Sequence, residues 1–294
     1  MSIERIKIIS SITDESKEVE RQLQTKLLIR KFELVETNPD LVIAIGGDGT
    51  LLGSIIQEQY SNKPLYVGIN TGTVGFLQEV ETKEIERFLE LLENKQYKTE
   101  KLFLVASTIY TPMRKIQTYG LNDIVIYPAR EIGRTVRINI SIDGEPLEYF
   151  CGDELIFSTA TGSTAYNASA YGNIIYNPNN AQVLQMMLCH PSIAHPYKVV
   201  YNGLTFLNNE RITVTPPERS NKLEIDSDGK TVYSGDVVKL DVAIGKRFIR
   251  RMKISDISYV SRLRSKFLES WWTPGDGEKC SKKIGHTINV WPIF

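Results

Sequence analysis

Three short segments of the chain combine glycine with small hydroxyl side chains: Gly46–Gly47–Asp48–Gly49–Thr50, Asn70–Thr71–Gly72–Thr73–Val74–Gly75–Phe76, and Thr161–Gly162–Ser163–Thr164–Ala165–Tyr166. Glycine lets backbone N–H groups approach an anion closely, Ser and Thr add short donors, and a following helix contributes its positive end. That chemistry suits a phosphate-bearing ligand. Asp48 is the anomaly, because a carboxylate inside a phosphate cradle repels the ligand unless it has another task. It can accept a proton from an attacking hydroxyl, or help to hold a metal that offsets phosphate charge. Each segment taken singly also has a plainer explanation. Asp48 or Thr50 can cap the next helix, Gly46 and Gly47 can make a turn, and Asn70 to Gly75 can be an ordinary strand–helix loop. Thr161 to Tyr166 can be a polar turn before a helix rich in small residues. Asn122–Asp123 can simply begin a strand, and Cys151–Gly152–Asp153 and Asp226–Ser227–Asp228–Gly229 can be loops or hairpin turns. Their occurrence in one chain, with the same expected ligand, favours the functional reading.

Other chemistries find little support. A GxxxxGK[ST] loop is absent, so phosphate is not held in the Walker manner. No GxSxG elbow suggests a serine hydrolase. His190 and His195 lack metal-ligand spacing and read as surface or packing residues, although His190 could line a pocket. The 294 residues carry 35 Lys+Arg against 35 Asp+Glu, with 41% hydrophobic content. Balanced charge supplies no global field for nucleic acid, and abundant aliphatics exclude wholesale disorder. No apolar run reaches the roughly 18 residues of a membrane span, and the sequence from Met1 to Arg5 lacks the apolar core of a secretory signal. Cys151, Cys189 and Cys280 show no CxxC spacing, which points to a reducing compartment. The expectation is a cytoplasmic protein with neither membrane nor nucleic-acid partners.

The elements that must position these segments follow from patterning. Ile6 to Ile9 is a β-branched strand, and Thr13 can cap a helix whose Val19, Leu23 and Leu27 form one apolar stripe. Asp40 to Ile45 is a near-continuous apolar run ending at Gly46, as expected of a strand covered on both faces. Helix at Leu51 to Ile56, strand at Leu65 to Ile69 and helix at Ile85 to Leu92 complete an α/β alternation. This predicts a doubly wound, Rossmann-like α/β domain at residues 1–98, with the first two glycine segments at the carboxyl ends of its strands. Beyond it the rhythm becomes β-rich: Leu121 to Tyr127, Thr135 to Ile142, Leu147 to Phe150, Leu155 to Ser158, Arg211 to Thr215, Lys222 to Ile225, Thr231 to Tyr233, Val237 to Val242 and Arg250 to Ser258. Asp143–Gly144 is a hairpin signal, and Ser163 to Tyr171 reads as helix. A β-rich domain is therefore expected at 99–260. Residues 261–294 form a C-terminal segment in which Arg262 to Leu268 looks helical and returns to the first domain. Trp271, Trp272 and Trp291 sit in its tail, read as a terminal extension rather than a docking element.

The segments GGDGT (46–50), NTGTVGFL (70–77), LND (121–123), GDE (152–154) and TGSTAYNASAYG (161–172) resemble those of the NAD kinase family, in order and over about residues 40 to 260. GGDGT is shared with lipid kinases, whereas TGSTAYN after an Asn-acidic pair is far more specific. The resemblance implies transfer of the ATP γ-phosphate to the 2′-hydroxyl of the adenosine ribose of NAD. It implies Asp48 as proton acceptor, and Gly46, Gly47, Thr50 and Gly72 on the phosphate path, with Gly49 beside the substrate. Asn122 and Thr164 would meet the adenine edge, Asp123 the ribose hydroxyls, and Phe76 the nucleotide. Asp153 and Ala165 would lie near the nicotinamide end, with Tyr166 and Ser169 completing the pocket. Mg²⁺ would arrive with ATP, with no protein-held metal, and polyphosphate could replace ATP as donor. A homotetramer or homodimer is implied, with the pocket shared between subunits.

Three positions depart from the family pattern. Asp123 stands where Glu is usual, Cys151 where a basic residue is frequent, and Asp228–Gly229–Lys230 where a DGQ-like element is found. They bear on substrate affinity more than on reaction type. The rival readings are a diacylglycerol or sphingoid lipid kinase of the same superfamily, and a non-catalytic dinucleotide-binding regulator.

Overall fold

The structure is a computed structural model in which residues 3–72, 75–129, 135–192, 200, 203–207, 209–218, 221–254 and 257–268 are described. Thr73, Val74, His195, Cys280 and the three tryptophans lie outside them.

The first part alternates strand and helix. β1 (Arg5–Ser10) leads to Thr13, whose hydroxyl accepts the Ser16 N–H at 3.3 Å and caps α1 (Asp14–Ile29). Val19, Leu23 and Leu27 are buried, as a four-residue apolar repeat on one helix face demands. β2 (Glu33–Leu34), β3 (Leu41–Gly46), α2 (Asp48–Gln57), β4 (Leu65–Asn70), β5 (Val80–Glu81) and α3 (Ile85–Glu93) follow. These strands pair in parallel, Ile43 lying opposite both Ile8 and Val67. Every residue of β3 is buried because both faces are covered: α1 and α3 pack with Ile43 and Ile45, while α2 packs with Val42 and Ala44.

The β-rich part begins with β6 (Lys98–Tyr110) and β7 (Lys115–Gly120), then β8 (Asp123–Pro128), β9 (Val136–Ile142), β10 (Glu145–Gly152) and β11 (Glu154–Thr159). Asp143 and Gly144, with φ of +49° and +90°, form the two-residue turn between β9 and β10. After a 3₁₀ turn at Gly162–Thr164 come α4 (Tyr166–Ser169), β12 (Leu184–Cys189), β13 (Leu204–Phe206), β14 (Ile212–Thr215), β15 (Lys222–Ser227), β16 (Lys230–Asp236) and β17 (Lys239–Lys253). α5 (Tyr259–Leu263) continues into a π-helical turn at Arg264–Leu268. One large sheet runs β10-β9-β14-β17-β4-β3-β1-β2, with β5 on β4 and β7 on β6, which pairs β17; the second, antiparallel sheet runs β13-β12-β11-β8-β15-β16. Ile124, Phe157 and Leu184 of the second sheet meet Ile138, Val214 and Val242 of the first in the largest core.

The structure departs from expectation in four places. β2, β5, β6, β7, β12 and β13 lie outside the strands that the patterning predicts. The helix expected over Ser163 to Tyr171 is only a 3₁₀ turn and a single α turn, since Ala165 (φ −99°, ψ −130°) breaks the run. The separate strands expected at 237–242 and 250–258 are one strand, β17, with a register shift between Ile244 and Phe248. Arg262 to Leu268 is helical, as expected, but in two different helical forms.

Candidate active site

The phosphate-type edge lies at the carboxyl ends of β1, β3 and β4. Gly47 caps α2, so Asp48, Gly49 and Thr50 make its first turn. Gly46 has φ +152°, and a methyl group there would strike the Thr50 hydroxyl, so a side chain is excluded. Asn70 closes its loop on Gly72, accepting the N–H at 3.2 Å and donating to the carbonyl at 3.1 Å. Thr71 Oγ1 lies 2.7 Å from Ser16 Oγ, which also meets Ser11 at 2.7 Å and Thr13 at 3.0 Å. Short hydroxyls from α1's head therefore join the two glycine loops.

Asp48 is held by backbone. Its Oδ2 accepts the Phe76 N–H at 2.8 Å and its Oδ1 accepts the Leu77 N–H at 3.0 Å. Gly75 leaves room for the carboxylate, since a methyl group there would overlap it. Each carboxylate oxygen keeps a further lone pair, so the group remains able to accept a hydroxyl proton. Lys266 Nζ stands 3.5 Å from Oδ2. The Phe76 ring, 8% exposed, contacts Tyr259 and Phe267 at centroid distances of 5.7 and 5.8 Å.

Asn122 and Asp123 sit in a turn that a remote acid organises. Asp228 accepts the N–H groups of Leu121, Asn122 and Asp123 at 2.8, 2.7 and 3.2 Å, and the Tyr60 hydroxyl at 3.0 Å. Gly162 lies against the Asn122 carbonyl with no space for a methyl group, which brings the Gly162–Thr164 turn onto Asn122. Burial pushes the Asp123 carboxyl up to about 7, helped by the negative charges of Asp228, Asp226 and Glu154. Burial also raises Asp228 against the pull of its three amides.

Two cavities flank the segment Thr161 to Tyr166. Phe76 and Thr164 line one of about 280 Å³, together with Leu102, Arg251 and Arg262. Tyr166 and Ser169 line another of about 260 Å³ with Glu154 and His190. The Tyr166 hydroxyl donates to Glu154 at 2.7 Å, and Asp153 Oδ2 lies 3.1 Å from His190 Nδ1. Ala165 separates the two groups, its N–H bonded to Gly162 at 2.8 Å. The expected site residues thus form three neighbourhoods: Gly46 to Thr50 with Gly72 and Phe76; Asn122, Asp123 and Thr164; and Asp153, Tyr166 and Ser169.

Residues 6–97 match the ATP-NAD kinase N-terminal domain, and residues 121–247 match the ATP-NAD kinase C-terminal domain. The chain belongs to the ATP-NAD kinase family. It is 30% identical over 256 residues to the NAD kinase of Clostridium beijerinckii, covering 86% of this chain and 87% of that protein. The NAD kinase of Clostridium kluyveri is 32% identical over 234 residues, 78% of each chain. Two solved structures share the fold. Yeast NADH kinase complexed with NADH superposes with a TM-score of 0.80 at 18% identity, covering 92% of this chain and 90% of that one. An NAD kinase from Archaeoglobus fulgidus in complex with ATP gives 0.67 at 21% identity, covering 89% and 99%. The protein is accordingly a nucleotide-binding phosphotransferase with NAD kinase activity, and the lipid-kinase and non-catalytic readings are not favoured.

In this ATP-NAD kinase the sequence reading passed over Ser11, Ser16, Tyr60, Arg262 and Lys266, and saw Asp228 only as part of a turn. Ser11 was findable by the rule applied to Gly46 and Asn70, because it follows β1 directly. Lys266 carried no signal, being 218 positions from the Asp48 that it faces.

Proposed function

We propose that the chain transfers the γ-phosphate of MgATP to the 2′-hydroxyl of the adenosine ribose of NAD, giving NADP and ADP. The ribose oxygen bonds to the γ-phosphorus while the bond to the β–γ bridging oxygen breaks. That electron pair leaves with ADP, and the hydroxyl proton passes to Asp48. The observation that carries this reading is the Asp48 carboxylate, fixed by two backbone N–H groups at the mouth of a glycine cradle yet retaining acceptor capacity. Gly46, Gly47, Thr50 and Gly72 serve the phosphates and Gly49 the substrate. Asn122 and Thr164 serve the adenine, Asp123 the ribose hydroxyls, and Phe76 the nucleotide face. Asp153, Ala165, Tyr166 and Ser169 serve the nicotinamide end.

Residues 1–98 then supply the phosphate side and 99–260 the dinucleotide side, and residues 261–268 of the C-terminal segment return to the cleft. Mg²⁺ enters as part of MgATP, where it screens the phosphate charge. Among the described residues, no three His, Cys, Asp or Glu side chains converge as a metal site, and no helix is long and apolar enough to cross a membrane. A cytoplasmic homotetramer or homodimer is part of the same reading. Exposed Tyr171, beside the nicotinamide-end cavity, offers a surface for a second copy.

The test is Asp48→Asn. NADP formation should fall by roughly two to four orders of magnitude while NAD still binds by calorimetry. Unchanged turnover removes the mechanism. The same assay with polyphosphate in place of ATP identifies the donor.

A further inference from the structure

The loops that would receive ATP contain no cation. Residues 10–16, 46–50, 70–77 and 161–166 hold neither Lys nor Arg, yet a triphosphate must lie beside the negative Asp48. Repulsion there has to be offset by a charge from elsewhere in the fold. The C-terminal helix supplies two candidates four residues apart, Arg262 and Lys266, and both reach Phe76. Arg262 is committed. Its buried guanidinium donates to the carbonyls of Phe76 at 3.3 Å and Gln78 at 2.5 Å, and to Glu79 at 2.9 Å. Lys266 is placed differently. Its Nζ is 3.5 Å from Asp48 Oδ2 and 5.2 Å from the Phe76 ring centroid, and its side chain is 37% exposed. Among the described residues, Asp48 is its ion-pair partner.

We infer that Lys266 is a phosphate-binding residue of the kinase site, paired with Asp48 before ATP arrives and with the transferring phosphoryl group afterwards. Arg262 anchors the helix to the 75–79 loop and fixes where the lysine stem begins. The Lys266 stem of four carbons then allows its ammonium a short swing, whereas the Arg262 guanidinium is tied down by its several hydrogen bonds. The exchange does two things at once. It frees Asp48 to receive the ribose proton, and it brings positive charge to oxygens that become crowded during transfer.

This inference rests on the kinase reading, and the experiment separates the two. Lys266→Ala and Lys266→Arg are compared with wild type for kcat, the KM for ATP, the Kd for NAD and the melting temperature. Lys266→Ala should lower kcat/KM for ATP by about a hundredfold. NAD affinity should stay within about twofold and melting should be unchanged, and Lys266→Arg should recover most of the loss. A mere strut for the helix would instead lower melting and NAD affinity while leaving the KM for ATP alone. That pattern, or unaltered kinetics, overturns the inference. Wild-type protein that makes no NADP overturns the kinase reading itself.

Discussion

The edge at residues 46–50, 70–72 and 75–77, proposed to bind phosphate, and the wall at residues 121–123 and 161–166, proposed to bind adenosine, reach a fixed geometry by opposite routes. At the edge, each loop continues its own strand, and Asp48 is set by amides 28 and 29 positions away in the neighbouring loop. At the wall, the turn is shaped by Asp228, more than 100 positions distant, whose buried carboxylate takes four donors. On the proposed mechanism, the edge spends its carboxylate on a hydroxyl proton. The wall spends one on architecture, and thereby raises the charge density around Asp123. A carboxylate held by the backbone of the adjacent loop tolerates drift elsewhere, whereas a turn pinned by a remote acid depends on the whole sandwich.

Three substitutions test that contrast. Asp228→Ala should have the largest effect, orphaning buried amides and costing about 3–4 kcal/mol in denaturant unfolding, with NAD affinity falling more than ATP affinity. A loss confined to stability would show that the turn does not need its acid to bind. Gly75→Ala should leave the fold intact but displace the Asp48 carboxylate, lowering NADP formation by about a hundredfold. Normal turnover would mean that the carboxylate's position is not critical.

Asp123→Asn should be the mildest. Because burial lifts Asp123 from 3.8 to about 7, its ionised form carries a penalty that is absent below pH 3.8 and complete above about 7. Wild type should therefore lose stability from this group as pH rises across that window. The asparagine variant should lack that slope, a difference of about 2–3 kcal/mol between pH 5 and pH 8 in thermal melts. Parallel pH profiles would place the carboxyl's titration outside the window.

What was legible in the sequence follows the same division. The α1 stripe, the β3 run, the β4 strand and the Asp143–Gly144 turn each carry their own periodicity or turn chemistry, so the parallel sheet and its glycine loops could be read directly. β12 could not: Leu184–Gln185–Met186–Met187–Leu188–Cys189 lacks β-branched residues, and all six are buried only because tertiary packing covers both faces. β17 reads as two strands because Gly245–Lys246–Arg247 resembles a turn, whereas β6 pairs across it and absorbs the interruption as a register shift. Among the site residues, those in the glycine loops declared themselves by type. Lys266, Arg262 and the role of Asp228 depend on contacts between distant segments, which no spacing rule records.

β17 has a consequence for how the cleft can work. Its Leu240 end pairs with β14, its Arg250–Arg251 end with β4, and β6 accompanies it along most of its length. A swinging hinge between the two halves would have to tear one of those ladders. The halves instead share one continuous strand, whose pairing with β6 is irregular at Ile244–Phe248. Access for a dinucleotide is then governed by the rim loops and the C-terminal helix, not by jaws opening wide.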